Sequence, residues 1–152
     1  MFLSGMLTRG RMRVKASPPA GLIRAARWWP ALAWMGGIFY LSQRSTPMGV
    51  SASNAGAIVA HLGLYLALAL LLYWALAGSG GDSRADAPAW VPATLAFALA
   101  VLYGVLDELH QAFVPGRTAS EVDLGVDAAG ALLGVTAALL AARLLNTRRQ
   151  RP

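Results

Sequence analysis

Apolar and polar stretches alternate along this chain with a long period. Apolar segments cover approximately residues 28–42, 55–77, 89–113 and 123–145, and each ends where Ser, Gly, Pro or charged residues accumulate. A helix of about 20 apolar residues crosses the ~30 Å hydrocarbon layer of a bilayer. The first segment is shorter than the others, but it begins with Trp28 and Trp29, which suit a membrane interface. The pattern predicts an all-α bundle of four transmembrane helices.

The two ends of the chain are basic and lack a persistent apolar period. They predict a disordered N-terminal tail (1–27) and a short C-terminal tail (146–152) on either side of one membrane domain (28–145). If the four helices alternate in direction, all 13 Lys and Arg residues except Arg44 and Arg117 fall on the side of the termini. Because Lys and Arg accumulate on the cytoplasmic side, both termini are expected to be cytoplasmic.

The composition is that of a membrane protein. The chain is 57% hydrophobic and 13% charged, whereas a soluble domain carries about 25% charged residues. The absence of cysteine excludes a disulfide and a thiolate nucleophile or ligand. Although the net charge is +6, the Arg-rich tails flank apolar spans and are better explained as topology signals than as a nucleic-acid interface. The expected partner is the lipid bilayer.

Acidic residues crowd between the third and fourth predicted helices. Five of the seven in the chain fall between Tyr103 and Gly134. His61 lies roughly 10 Å along the second helix, at ~1.5 Å per residue, which is the depth where the third helix ends and the fourth begins. Charge is costly near hydrocarbon, so this convergence in the outer leaflet indicates a functional site. The predicted polar cluster comprises His61, Tyr65, Asp107, Glu108, Gln111, Arg117, Asp123 and Asp127.

Several members of this cluster also have purely structural explanations. Asp123 could close a capping box with Ser120 at the start of the fourth helix. Arg117 could extend to the interface or pair with Glu108. Asp107 could face water at the membrane surface.

For His61 the structural explanation is a hydrogen bond that only locks two helices together. Glu108, Gln111 and Asp127 are harder to explain in this way, because a leucine in or beside an apolar helix would carry no such cost. If the cluster is one site, Glu108 is expected within reach of Arg117. His61 is then expected close to both Glu108 and Asp127.

Small residues predict where helices approach one another and where they end. Gly36 and Gly37 form a smooth patch on the first helix, and Gly130 and Gly134 form a GxxxG face on the fourth. Pro115 and Gly116 are expected to end the third helix.

A longer motif joins the third and fourth helices. It reads Asp107-Glu108-x-x-Gln111-x-Phe113-x-Pro115-Gly116-Arg117, followed by Ser120, Asp123 and Gly130. This motif resembles that of the VanZ-like family of small membrane proteins. The match extends to two further stretches, Phe39-Tyr40-Leu41-Ser42-Gln43 and His61-x-x-x-Tyr65-x-x-x-Ala69, which are similar to the family's first-helix ending and second-helix motif.

The resemblance implies a multi-spanning protein of the bacterial plasma membrane. The founding member of the family is associated with resistance to the glycopeptide teicoplanin, but the resemblance implies no settled activity. Two positions depart from the family's pattern. The Asp-Lys pair that usually precedes the histidine is missing from residues 57–60, and Asp127 stands where Asn is common.

Two classes of function fit these residues, and the first is favoured. It is a non-enzymatic envelope protein whose outward-facing polar pocket binds a cell-wall precursor, a lipid headgroup or a glycopeptide, with Arg117 contacting phosphate or carboxylate. The alternative is an intramembrane enzyme acting on a lipid-linked substrate, with Glu108 or His61 as general base.

The known catalytic motifs do not support the enzyme. The chain has no Ser-His-Asp order, no HExxH and no glycine-rich phosphate loop. The spacing of His61, Glu108 and Asp127 along the sequence matches no motif of metal ligands. Neither a metal nor another cofactor is therefore expected.

Overall fold

The computed structural model of the protein describes residues 19–43, 55–78 and 87–149. All regular structure within these ranges is α-helical, which confirms the predicted fold class. The helices are α1 (Ala20–Ala26), α2 (Trp29–Ser42), α3 (Ala55–Gly78), α4 (Trp90–Gln111) and α5 (Glu121–Arg149). Within the described residues, α3, α4 and α5 are long and apolar enough to cross a membrane.

The first predicted span is shorter in the structure than a helix that crosses a bilayer. Helix α2 has 14 residues, or ~21 Å at ~1.5 Å per residue, which is less than the ~30 Å of hydrocarbon. It is preceded by α1, which buries no side chain and lies inside the tail predicted to be disordered. The helix breaks at residues 27–28 because Pro30 has no N–H to donate to Ala26 and its ring crowds that carbonyl. Helical structure therefore begins earlier than residue 28, whereas residues 1–18 and 150–152 of the tails lie outside the described residues.

Helices α3 and α5 approach each other closely along the predicted GxxxG face. A Cβ placed on Gly130 would lie 2.5 Å from the carbonyl oxygen of Leu62, and one on Gly134 would lie 2.5 Å from that of Leu66. Only glycine leaves room for backbone contact at this distance. The corresponding prediction for residues 36–37 is wrong within the described part of the chain, where a Cβ on either glycine meets no atom within 4 Å.

One stripe of α4 faces the bundle and changes character along the helix. Its buried positions are Ala93, Ala96, Ala100, Gly104, Asp107, Glu108 and Gln111, which recur at helical spacing. The first four are small, so that neighbouring helices pack closely against them, and the last three are polar. The opposite face carries exposed leucines such as Leu95, Leu102 and Leu106. The orientation of α4 that exposes its leucines therefore also buries the carboxylates of Asp107 and Glu108 inside the bundle.

A tight turn connects α4 to α5. Gly116 has a φ of 80°, in the left-handed region where glycine is favoured. The N–H of Val114 donates to the carbonyl of Gln111, and the N–H of Arg117 donates to that of Val114. The predicted helix end at residues 115–116 is confirmed, and the turn brings the start of α5 back against the last turn of α4.

Candidate functional site

Four carboxylates meet at the end of the bundle where α3 and α5 begin and α4 ends. They are called the acidic cluster below and comprise Asp107, Glu108, Asp123 and Asp127. Glu108 interacts electrostatically with the other three. Asp107, Glu108 and Asp127 are 4%, 6% and 0% exposed, a degree of burial that is rare for acids unless they are paired.

Asp127 is paired with His61 across the α3–α5 interface. Nδ1 of His61 lies 2.9 Å from Oδ1 of Asp127, and the His61 side chain is 22% exposed. Gly104 makes room for this pair, because a Cβ there would lie 3.5 Å from Oδ2 of Asp127 and 3.3 Å from Cε1 of Tyr65. The predicted proximity of His61 and Asp127 is confirmed. His61 also lies within electrostatic range of Glu108, so all three predicted partners belong to one constellation.

A chain of hydrogen bonds runs from α2 to the α4–α5 turn. The hydroxyl of Ser42 donates to Oδ2 of Asp107 at 2.7 Å, and Nε2 of Gln111 donates to the same oxygen at 2.9 Å. Arg117 in turn donates through one terminal nitrogen to Oε1 of Gln111 at 2.8 Å. Asp107 is therefore buried within this network of hydrogen bonds and does not face water.

Ser42 is a cluster contact that the sequence analysis did not identify. It lies at the last residue of α2 and also approaches the carbonyl of Ile38 at 3.0 Å. A serine near a helix end usually bonds only to its own helix, so its spacing gave no sign of a bond to α4. Only the resemblance of residues 39–43 to a family motif pointed to this segment. Phe39 adds a second contact, with its ring centroid 4.6 Å from that of His110.

Arg117 and Glu108, expected within reach of each other, have different hydrogen-bond partners. Among the described residues Arg117 forms no ion pair, and its hydrogen bond goes to Gln111. Glu108 instead accepts a hydrogen bond through Oε2 from the backbone N–H of Ser120 at 2.7 Å. The first N–H groups of a helix have no partner within it and carry partial positive charge, so the start of α5 attracts this carboxylate.

Ser120 caps α5, but in a different way from the predicted capping box. Its hydroxyl accepts a hydrogen bond from the N–H of Asp123 at 3.1 Å, which is half of the box. In the other half the Asp123 carboxylate would accept from the N–H of Ser120, but Glu108 occupies that place. The Asp123 carboxylate is thus released from capping and remains half-buried beside the other acids.

Among the described residues, five buried polar atoms of the predicted polar cluster have no hydrogen-bond partner. Buried polar groups are nearly always paired, and leaving one unpaired costs about 1–3 kcal/mol. Three are carboxylate oxygens and two are donors. They are Oδ1 of Asp107, Oε1 of Glu108, Oδ2 of Asp127, the hydroxyl of Tyr65 and Nε of Arg117. Nε2 of His110, in the last turn of α4, is buried and unpartnered as well.

Tyr65 extends the site on α3 beyond His61. Its side chain is 1% exposed, and it interacts electrostatically with Asp127, Asp107 and Glu108. All the residues predicted for the polar cluster therefore lie at this end of the bundle. The described residues contain no group of three His, Asp or Glu side chains placed to hold one metal ion.

These features define a small α-helical membrane protein with an acidic site buried among its helix ends. The family model described as VanZ/LLP1 matches residues 26–142. The chain therefore belongs to this family, as the resemblance indicated. It matches no curated protein and no solved structure.

Proposed function

We propose that this protein is a non-enzymatic component of the bacterial plasma membrane that binds a polar headgroup in an outward-facing pocket. The bound group is the headgroup of a lipid-linked cell-wall precursor or of a membrane lipid, or a polar part of a glycopeptide such as teicoplanin. The observation that carries the proposal is the group of five buried, unpartnered polar atoms around the acidic cluster. A protein that kept these atoms only for stability would pair them.

The distribution of charge supports an outward-facing site. The end of the bundle opposite the acidic cluster carries Arg143 and Arg148 near the end of α5. Arg27 lies at that same end, stacked 4.4 Å from the ring centroid of Trp74. Because Lys and Arg favour the cytoplasmic side, this distribution supports a multi-pass arrangement with both termini inside and the α4–α5 turn outside.

The unpartnered atoms suit a headgroup with several hydrogen-bonding groups. The carboxylate oxygens of Asp107, Glu108 and Asp127 would accept from hydroxyl, amide or amine donors. Nε of Arg117 and the hydroxyl of Tyr65 can donate to oxygen atoms of the same ligand. Hydrogen bonds to charged groups are worth about 1.5–3 kcal/mol each, so two or three of them suffice for selective binding at a membrane surface.

A binding measurement on the purified protein in lipid nanodiscs tests this function. The probes are the undecaprenyl-linked disaccharide-pentapeptide, a dispersed phospholipid and teicoplanin. Tyr65→Phe removes one unpartnered donor without changing the shape of the side chain, and Asp127→Asn removes one charge. Each variant is expected to weaken binding of at least one probe about ten-fold, or ~1.4 kcal/mol. The control is Glu121→Gln, which alters an exposed acid in the first turn of the same helix.

Unchanged binding of every probe in both variants contradicts the proposal. Binding that falls equally in the Glu121→Gln control would show a general effect of surface charge, and would contradict it as well.

The pairing of His61 with Asp127 favours a second candidate function, an intramembrane enzyme on a lipid-linked substrate. A carboxylate on Nδ1 orients an imidazole so that Nε2 can accept a proton. Glu108, with one free oxygen, is the other general base to consider. Release of a headgroup from a lipid-linked substrate by the wild type, and its loss in His61→Gln, would establish catalysis.

A further inference from the structure

We infer that the group recognised in this pocket is a primary ammonium, held among the free oxygens of Asp107, Glu108 and Asp127. The inference rests on the proposed function, since it assigns the chemical class of the ligand that the same pocket binds. It narrows the choice among headgroups to those that carry a basic amine.

Among the described residues, acidic side chains outnumber basic ones at this position. The acidic cluster has four carboxylates, and the basic side chains at this end of the bundle are Arg117 and, when protonated, His61 and His110. Arg117 donates to the amide of Gln111 and to no carboxylate. His61 contacts Oδ1 of Asp127, which leaves Oδ2 of the same carboxylate free. Buried carboxylates without a counter-ion are strongly unfavourable, and an ammonium from the ligand supplies the missing charge.

A second observation, independent of the acids, indicates a ligand in the same place. The hydroxyl of Tyr65 is buried and unpartnered, and its ring packs beside Gly104 and Asp127. A hydroxyl can accept a hydrogen bond from an ammonium, and an aromatic ring attracts a cation. Tyr65 therefore adds an oxygen and an aromatic wall to the carboxylates.

The geometry favours an organic cation over a metal ion. Metal ions such as Ca²⁺ need six or more oxygens at about 2.3–2.6 Å, and the described residues do not gather even three acidic or histidine side chains in this way. An ammonium needs fewer and more distant partners, since its three N–H groups reach carboxylate oxygens at about 2.7–2.9 Å. The residues that carry the three free oxygens lie on two helices, Asp107 and Glu108 on α4 and Asp127 on α5.

An ammonium at this position can come from two sources. One is an aminophospholipid of the surrounding bilayer, which would enter sideways between the helices. The other is the amine of a glycopeptide or of a precursor peptide, which would enter from the aqueous side. Both present the same chemistry to the pocket, and the arms of one experiment distinguish them.

The experiment compares matched ligands that differ only at nitrogen, with the protein in phosphatidylglycerol nanodiscs. The lipid arm uses phosphatidylethanolamine together with its N-acetyl and N-monomethyl derivatives. The soluble arm uses teicoplanin and its N-acetylated form. In at least one arm N-acetylation is expected to weaken binding ten-fold or more, because it removes the charge. In the lipid arm N-monomethylation, which adds bulk but keeps the charge, changes binding less than three-fold.

The variants connect this preference to the acidic cluster. Asp127→Asn and Glu108→Gln are expected to abolish the difference between amine and N-acetyl ligands, and Glu121→Gln to preserve it. If amine and N-acetyl ligands bind equally and both are lost in Tyr65→Phe, the pocket exists but the ammonium assignment is overturned. If no ligand depends on these residues, the proposed function and the inference fail together.

Discussion

Nδ1 of His61 lies 2.9 Å from Oδ1 of Asp127, and this contact ties the first turns of α5 to α3. The Asp127 carboxylate is buried while the imidazole is partly exposed. The pair thus connects the buried acids to the surface of the bundle. It also gives the buried Asp127 carboxylate a hydrogen-bond partner on a neighbouring helix.

Replacing Asp127 tests whether this contact holds the helices together. Asp127→Ala should lower the free energy of unfolding by about 1–3 kcal/mol, because it removes the acceptor for the imidazole and leaves a space. Asp127→Asn should cost less, since the hydrogen bond can persist. Thermal unfolding in detergent, followed by circular dichroism, gives the comparison. Equal losses from both variants would show that charge, and not the hydrogen bond, carries the stability.

Glu108→Gln is expected to separate stability from binding. The carboxamide still accepts from the N–H of Ser120 through its oxygen, and its NH₂ can donate to a neighbouring carboxylate. Since repulsion with Asp107, Asp123 and Asp127 is relieved, the ligand-free protein should be stabilised by roughly 0.5–2 kcal/mol. Ligand binding should fall in the same variant. A variant that is both less stable and fully able to bind would contradict the assignment of Glu108 to a binding site.

Ser42→Ala tests the attachment of α2 to the site. The substitution removes the hydrogen bond to Asp107 and should destabilise the protein by ~1–2 kcal/mol, because the acceptor is charged and buried. Thr136→Ala is a matched control, as its hydroxyl donates to the carbonyl of Leu132 in its own helix. If the two variants unfold at the same temperature, the link between α2 and α4 contributes nothing measurable.

Gly130→Ala tests the close approach of α3 and α5. The added methyl group would lie 2.5 Å from the carbonyl oxygen of Leu62, so the helices must separate, at a cost of about 1–3 kcal/mol. Gly125→Ala provides the control on the same helix, because a Cβ there meets no atom within 4 Å. The control should raise stability slightly through helix propensity. Similar effects from both substitutions would mean that the α3–α5 contact is not tight.

Reporter fusions test the proposed orientation. A reporter at the end of the chain, after Arg148, should be active only in the cytoplasm, and one inserted at residues 115–116 only outside. An external C-terminus would place the acidic cluster on the cytoplasmic face and contradict an outward-facing site.

Much of this architecture could be predicted from spacing because bilayer thickness and helical period constrain it. The all-α fold, the turn at residues 115–116 and the GxxxG contact all follow from local sequence. The patch at residues 36–37 shows the limit, since small residues permit close packing but do not supply a partner helix.

The partners within the site were harder to predict than its location. Helix depth alone brought His61 and Asp127 together, because the depth of each follows from its own helix. The partner of Glu108 could not be inferred in this way, since the N–H of Ser120 is a backbone group that any residue at that position would offer. Because that amide binds Glu108, Arg117 forms its hydrogen bond with the side chain of Gln111 instead.

Photo-cross-linking tests the central claim, that a headgroup binds among the acidic residues, most directly. A lipid-linked precursor or aminophospholipid analogue with a diazirine on its headgroup would be irradiated with the protein in nanodiscs, and the labelled peptides identified by mass spectrometry. Labelling is expected within residues 104–127, where excess unlabelled ligand should suppress it and Tyr65→Phe should reduce it. Labelling spread over the exposed leucines of α5, such as Leu132 and Leu140, and indifferent to competitor, would contradict it.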